Sequence, residues 1–326
     1  MLRHNGTRLL SSVALALVLG LSGCAQQQQQ SAPAAEEAAT VEESQETTVA
    51  SDIVAPDFAE ATVSYLGPEG TYTEEAAKHV FDDTSTLVTY DTVPNAVAAL
   101  VAGESTFAVI PQENTIGGPV TDYIDCVLDN AEVTIKGEIE LPISQNLLGL
   151  PGAKLSDIKH VYSHKQGIAQ GKAWLAENLP EAEVEEVSST AEGARMVSEG
   201  ADPTTAAICS AGCAEVYGLE ILAPNIQQND DIVTRFYVLS TEGATIAGSQ
   251  RMAFVATGAA ADFPSLMSEI QAAGLNLVAC NNRPAKDVLG RYRYLIEVSP
   301  ADQAAYEKIA ATQGFDFRFL GGFDLH

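Results

Sequence analysis

The sequence predicts an α/β protein with a largely parallel sheet, followed by a smaller ferredoxin-like unit. Three observations carry that prediction. From Thr62 onward, short apolar runs alternate with segments of helical period at the spacing of βα units. Polar clusters fall where the apolar runs end, which is where open α/β sheets bind ligands. The stretch from Arg251 to His326 reads strand, helix, strand, strand, helix, strand, the βαββαβ plait. With 326 residues, 46% of them hydrophobic, the chain can fill the cores of two or three domains.

Residues 1–23 read as a signal peptide. Arg3 and Arg8 form a basic start, and Leu9 to Leu21 is apolar except for Ser11, Ser12 and Gly20. That run is short for a membrane span and carries the flanks of an export signal. Leu21-Ser22-Gly23-Cys24 resembles a bacterial lipobox, in which the Cys24 thiol receives lipid. Residues 24–60 follow as an acidic, low-complexity tether. They hold the Gln26–Gln30 run, eight acidic residues and no Lys or Arg. Such a segment buries too little apolar area to offset its ordering entropy. The expectation is an exported protein, anchored by lipid on Cys24 at the cell surface or in the periplasm.

In the folded body, Val63 to Leu66 reads as a strand and Gly67-Pro68-Glu69-Gly70 as a turn. Thr73 is the predicted cap of a helix with Glu74 and Glu75 in its first turn. Thr86 to Tyr90 is a strand, Val93 to Ala102 a helix ended by Gly103, and Phe107 to Ile110 a buried strand running into Pro111. Strands follow at 133–141, 146–150 and 161–162, then a helix at 168–179, a helix at 190–199, a strand at 206–208, a helix at 211–217 and a strand at 236–239. Residues 242–250 read as a linker. In the last unit the expected strands are 252–257, 276–280, 291–298 and 317–320, with helices at 264–273 and 301–313. The domain boundaries are 61–245 and 250–326. The first domain divides into one lobe of about 62–141 plus 223–243 and another of about 142–222.

Charge narrows the function classes. Lys plus Arg is 17 against Asp plus Glu 44, a formal net charge of −27. That balance speaks against nucleic acid and against a polybasic membrane contact, though not against an anionic ligand held in a local cleft. Five Cys in a chain this long do not make a disulfide scaffold. His79, His160, His164 and His326 are scattered, and Cys209 with Cys213 lacks a second pair, so no metal site is expected. No phosphate loop and no serine nucleophile elbow is present.

Five polar clusters remain: Gly67–Thr71, Glu113-Asn114-Thr115, Ser163–Gln170, Ser189-Thr190 and Thr234-Arg235. Each alone also reads as a turn, a helix cap or a solvated strand edge. Together, in this order, they resemble prephenate dehydratase with a carboxy-terminal ACT regulatory domain. The motifs are Tyr65-Leu66-Gly67-Pro68-Glu69-Gly70-Thr71-Tyr72, Pro111 to Val120, Tyr162-Ser163-His164-Lys165-Gln166 with Ala169-Gln170, Ser189-Thr190-Ala191-Glu192, and Thr234-Arg235-Phe236. The resemblance spans roughly Val63 to His326. It implies a two-lobed catalytic region like type II periplasmic binding proteins, plus the ferredoxin-like ACT unit.

The family converts prephenate to phenylpyruvate with loss of carbon dioxide and water. Aromatisation drives that step, so the resemblance implies no cofactor and no metal. It places Thr234 beside the leaving oxygen, Arg235 as charge for a substrate carboxylate, Asn114 as a hydrogen-bonding group and Glu113 as an acid if burial raises its pKa. Thr71, Thr115, Ser163, Gln166, Gln170, Ser189 and Thr190 fall at substrate-binding positions. Asn281-Asn282-Arg283-Pro284 resembles the regulatory Glu-Ser-Arg-Pro motif, and Pro264-Ser265-Leu266 stands for Gly-Ala-Leu. Leu266, Asn282, Arg283 and Pro284 are thus the regulatory candidates, with phenylalanine as the implied ligand and a homodimer or higher homo-oligomer as the implied assembly. Two residues depart from the pattern: Ile232 stands where the family usually has Asn, and Lys165 where it usually has Pro. A lipid-anchored solute-binding protein on the same scaffold, and arogenate as the substrate, stay open as alternatives.

Overall fold

The computed structural model describes residues 58–246 and 249–326. The expected signal peptide, Cys24 and all but the end of the tether lie outside the described residues. The first lobe opens with β1 (Thr62–Leu66), α1 (Tyr72–Val80), β2 (Thr86–Tyr90), α2 (Val93–Val101) and β3 (Phe107–Asn114). β1 pairs in parallel with both β2 and β3. Thr92 caps α2, its Oγ1 accepting the Asn95 N–H at 3.3 Å, with Pro94 in the first turn. The cap of α1 is Thr71, not the expected Thr73, which is buried inside the helix. A short β4 (Gly118–Pro119) folds back on β3, followed by α3 (Thr121–Asp129) and β5 (Thr134–Pro142). The sequence reading did not anticipate α3.

The chain then enters the second lobe: β6 (Asn146–Gly149), β7 (His160–Ser163), α4 (Lys165–Asn178), β8 (Glu183–Glu186), α5 (Thr190–Gly200), β9 (Thr205–Cys209), α6 (Gly212–Tyr217) and β10 (Glu220–Ala223). Its sheet order is β10-β6-β9-β7-β8. Ala223, placed in the first lobe from sequence, pairs with Leu147 of this sheet. The chain returns as β11 (Val233–Ser240), which inserts between β3 and β5 and runs antiparallel to both. Neither sheet is therefore largely parallel. β6 is also antiparallel to β9 and β10. A strand arriving from the other lobe enters from the opposite end of the sheet, so its direction reverses.

The C-terminal unit is β12 (Arg251–Ala259), α7 (Phe263–Ala272), β13 (Asn276–Pro284), β14 (Arg291–Ser299), α8 (Gln303–Ala310) and β15 (Phe315–Leu325), the expected βαββαβ plait. Its strands run in the order β13-β14-β12-β15. The unit is not separate. β15 continues into a parallel pairing with β5, at Asp324↔Gly137 and Leu325↔Glu138, which makes one sheet across both bodies. Ala253, Val255, Leu295, Leu320 and Phe323 share a buried cluster with Ile124, Val127, Ile135 and Tyr237 of the first lobe.

That junction depends on one close approach. Gly321 has φ +139°, and a Cβ there would lie 2.3 Å from the Ile135 carbonyl oxygen. Neither atom belongs to a side chain that can swing away. Gly321→Ala is expected to lower the thermal midpoint by roughly 3–10 °C, through backbone strain of about 1–3 kcal/mol. Calorimetry of the variant checks this.

Candidate active site

Two straps join the lobes, residues 143–145 and 224–232, and they are bonded to each other. The Ile143 N–H donates to the Ile232 carbonyl at 2.8 Å, the Ile226 N–H to the Gln145 carbonyl at 2.8 Å, and the Gln145 N–H to Gln227 Oε1 at 2.9 Å. On the other flank the Gly67–Gly70 turn meets α6. The Gly70 carbonyl accepts from Ser210 Oγ at 2.8 Å and from Cys213 Sγ at 3.1 Å, and Tyr217 donates to the Glu69 carbonyl. Between these ties lies a cleft of about 510 Å³, within the size of small-molecule sites.

Thr234 and Asn114 line it together. They face each other in the β11–β3 register, and Asn114 Nδ2 donates to Thr234 Oγ1 at 2.8 Å. The Asn114 amide is fixed from its other end: Oδ1 accepts the N–H groups of Ile116 and Gly117 at 3.0 and 3.1 Å. With its oxygen already accepting, the Thr234 hydroxyl keeps its own proton for a group in the cleft.

The next register pair, Arg235 and Glu113, points the other way, as strand alternation requires. Neither lines the cleft. Arg235 contacts Glu113 at 3.0 Å and also pairs with Glu138 of β5 and Glu297 of β14. Arg251 joins Glu138 at 2.9 Å, and the Tyr237 hydroxyl donates to Glu297. Burial works against the Arg235 charge, but the hydrogen bond to Glu138 and the charges of Glu297 and Glu138 outweigh it and hold the guanidinium protonated. Burial, then the neighbouring Glu138 charge, pushes the Glu297 carboxyl up. Arg235 as a substrate contact and Glu113 as the acid are thus both corrected: they form an ion cluster behind the sheet.

Three further residues expected at the substrate are also placed elsewhere. Thr71 Oγ1 caps α1 and donates to the Leu66 carbonyl. Ser163 is fully buried and donates to the Ile208 carbonyl at 2.7 Å. Thr115 is exposed and ties the Val233 N–H to its own turn. Gln166, Gln170, Ser189 and Thr190 do line the cleft. Gln170 Oε1 accepts from Gln145 Nε2 at 2.8 Å, while Gln145 Oε1, buried on the same wall, has no hydrogen-bond partner. Tyr72, Tyr123 and Gln145 are wall residues that sequence reading missed. In the C-terminal unit Leu266 is fully buried in its own core. Arg283 makes a two-pronged contact to Asp125 of α3 at 2.8 and 2.6 Å, while Asn282 and Pro284 are exposed.

Among the described residues the cleft has no carboxylate on its wall. The N-terminal ends of α3, α4 and α5 supply Val120, His164 to Gln166, and Ser189 with Thr190. Their helix dipoles favour an anion. No cluster of three or more metal-ligating side chains occurs among the described residues. Cys209, Cys213 and Cys280 are free thiols.

Fold and site define a two-lobed α/β protein whose interlobe cleft is walled mainly by amides and hydroxyls, with Lys165 at its edge. Its residues 63–244 match the prephenate dehydratase family model, and the chain belongs to that family. It is 34% identical over 239 residues to the bifunctional chorismate mutase/prephenate dehydratase of Neisseria gonorrhoeae, covering 73% of this chain and 66% of that enzyme. It is 32% identical over 283 residues to the prephenate dehydratase of Mycolicibacterium gilvum, covering 79% and 89%. The crystal structure of prephenate dehydratase in complex with L-Phe from Arthrobacter aurescens superposes with a TM-score of 0.71 at 31% identity, covering 81% of this chain and 90% of that one.

Two outcomes follow from the site chemistry. Glu297→Ala is expected to destabilise the fold by about 3–5 kcal/mol in urea titration, because it leaves Arg235 buried beside fewer anions. His164 caps α4 with Nδ1 accepting the Gln166 N–H, which requires a neutral ring. Burial and then the Lys165 charge hold its pKa below the ordinary 6.5. A depressed folded-state value means that the cap's stability is present above the unfolded value and is lost as pH falls through the folded one. NMR titration should find His164 below 6.5, and His164→Asn should remove that acid-side loss.

Proposed function

We propose that this chain is a carbon–oxygen lyase that converts prephenate to phenylpyruvate in its interlobe cleft, with no cofactor. The supporting observation is the Asn114–Thr234 pair. The C–O bond at ring carbon 4 breaks as the ring carboxylate leaves as carbon dioxide, and the electrons of the C–C bond complete the aromatic ring. The departing hydroxide needs a hydrogen bond or a proton. Thr234 presents a hydroxyl whose oxygen is already held by Asn114, so its proton is directed at the leaving oxygen, and Gln166, Gln170, Ser189 and Thr190 fix the ring and its carboxylates by neutral hydrogen bonds. Thr234 is a relay or donor rather than a strong acid, and its share is about a hundredfold or more in rate.

The wider reading places this enzyme outside the cytoplasm. The lipobox-like Leu21-Ser22-Gly23-Cys24 supports export and lipid attachment at Cys24, and the acidic tether holds the body off the membrane. The C-terminal unit serves as an ACT-type regulatory and assembly domain, with phenylalanine as the ligand to test and a homo-oligomer as the form expected. Bound L-Phe in the Arthrobacter aurescens structure supports that choice.

Incubation with prephenate, following phenylpyruvate, tests the activity. Thr234→Ala should lower kcat by about a hundredfold or more with a smaller change in KM, and Thr234→Ser should restore most of it. Binding of prephenate without turnover in the wild type would establish the solute-receptor reading instead. For export, Cys24→Ala should move the chain from the membrane fraction and remove the lipid mass; full-length wild-type protein in the cytosol would contradict it.

A further inference from the structure

We propose that Lys165 binds the side-chain carboxylate of the substrate and makes the cleft selective for the dianionic keto acid over its amino-acid counterpart, an inference that rests on the dehydratase reading. Among the described residues Lys165 is the one lysine, arginine or carboxylate side chain on the cleft wall, where the other polar side chains are amides, hydroxyls and the neutral His164. Arg235 cannot take this role, because its guanidinium is committed to three carboxylates on the far face of β11. Lys165 itself is exposed, with no ion-pair partner among the described residues.

Its position works against local stability. Lys165 is the first residue of α4, where the helix dipole disfavours a cation. A cation set at that end is compensated once an anion arrives, since the α4 N–H groups and the ammonium then act on the same charge. The demand for such a group is strong in a chain of net charge −27, whose overall field repels a dianion.

The reaction chemistry decides which carboxylate Lys165 holds. The ring carboxylate must release its electrons and depart as neutral carbon dioxide. A cation paired with it would stabilise the charge that has to disappear. The side-chain carboxylate keeps its charge from substrate to product, so a contact there stabilises ground and transition states alike and is read in KM rather than kcat. In arogenate an ammonium stands beside that same carboxylate. It would meet Lys165 as a like charge, and among the described residues the wall holds no Asp or Glu to receive it.

The test is steady-state kinetics of the full chain with prephenate and with arogenate, in wild type, Lys165→Gln and Lys165→Arg. Wild type should prefer prephenate in kcat/KM by about tenfold or more. Lys165→Gln should raise KM for prephenate by about 10- to 100-fold, with kcat within about threefold, and should narrow the preference. Lys165→Arg should stay near wild type. An unchanged KM in Lys165→Gln, or equal use of both substrates by wild type, overturns the proposal while leaving the dehydratase reading intact. Should wild type turn over neither, calorimetric titration with phenylpyruvate and with phenylalanine separates the two ideas. Phenylpyruvate binding that is lost in Lys165→Gln sinks the dehydratase reading and keeps the carboxylate contact. Binding that ignores the substitution, or no binding, overturns the contact.

Discussion

The Arg235 ion cluster is the constraint on which sheet, C-terminal unit and cleft all depend. Glu138 and Glu297 are both fully buried, and two such carboxylates tolerate each other only with cations between them. Arg235 and Arg251 supply the charge, and Tyr237 and Gln112 add hydrogen bonds to Glu297. Four strands therefore meet at one guanidinium: β11 returning from the second lobe, β3, β5, and β14 of the C-terminal unit. A slip of β11 by one residue would carry Arg235 into the cleft and Thr234 among the carboxylates. The cluster thus fixes the face on which Thr234 stands, and it couples that face to the C-terminal sheet without touching the ligand.

A cleft that must eject a carboxylate as carbon dioxide faces conflicting electrostatic demands. It has to attract a dianion, yet it must not grip the charge that disappears. The walls answer with partial charges: helix N-termini, hydroxyls and carboxamides, which orient a carboxylate without the full hold of an arginine pair. Strand alternation keeps Arg235 behind the sheet. The full charge at Lys165 then serves the end of the substrate that stays ionised.

Much of this architecture was legible from sequence. β2 runs over Thr86–Tyr90 as predicted, and the C-terminal plait follows from its apolar periods alone. Local rules failed where distant partners decide. Thr71 and Thr73 are equally good caps by residue type, and the Gly70 turn, latched to α6, selects Thr71. Helix α3 begins after Gly117-Gly118-Pro119, which reads as loop, and its stability comes from Ile124, Val127 and Leu128 packing under the C-terminal sheet. The motif residues divide for the same reason. Thr234 and Asn114 sit on one side of a two-residue period, Arg235 and Glu113 on the other. Sequence shows that alternation but not which face is the cleft, because Glu138 and Glu297 lie 97 and 62 residues from Arg235. Gln145 gave no motif signal; its importance comes from the strap that crosses beside it.

Ile232 shows how a departure from the family pattern can leave a site intact. It is 1% exposed and packs with Leu141, Ile143 and Phe236, while its carbonyl accepts the Ile143 N–H that ties the two straps. An amide in that apolar cluster would need a partner, and an unpaired one costs about 1–3 kcal/mol. Polar function at this corner comes from elsewhere. Gln170, Gln228 and Asn229 line a hollow of about 250 Å³ that opens beside Ile232 and adjoins the cleft at Asn114 and Gln166. The orientation of Thr234 does not pass through residue 232 at all. Asn114 sets it, and Asn114 is held by its own turn. The isoleucine therefore strengthens the strap without disturbing the pair that lines the cleft.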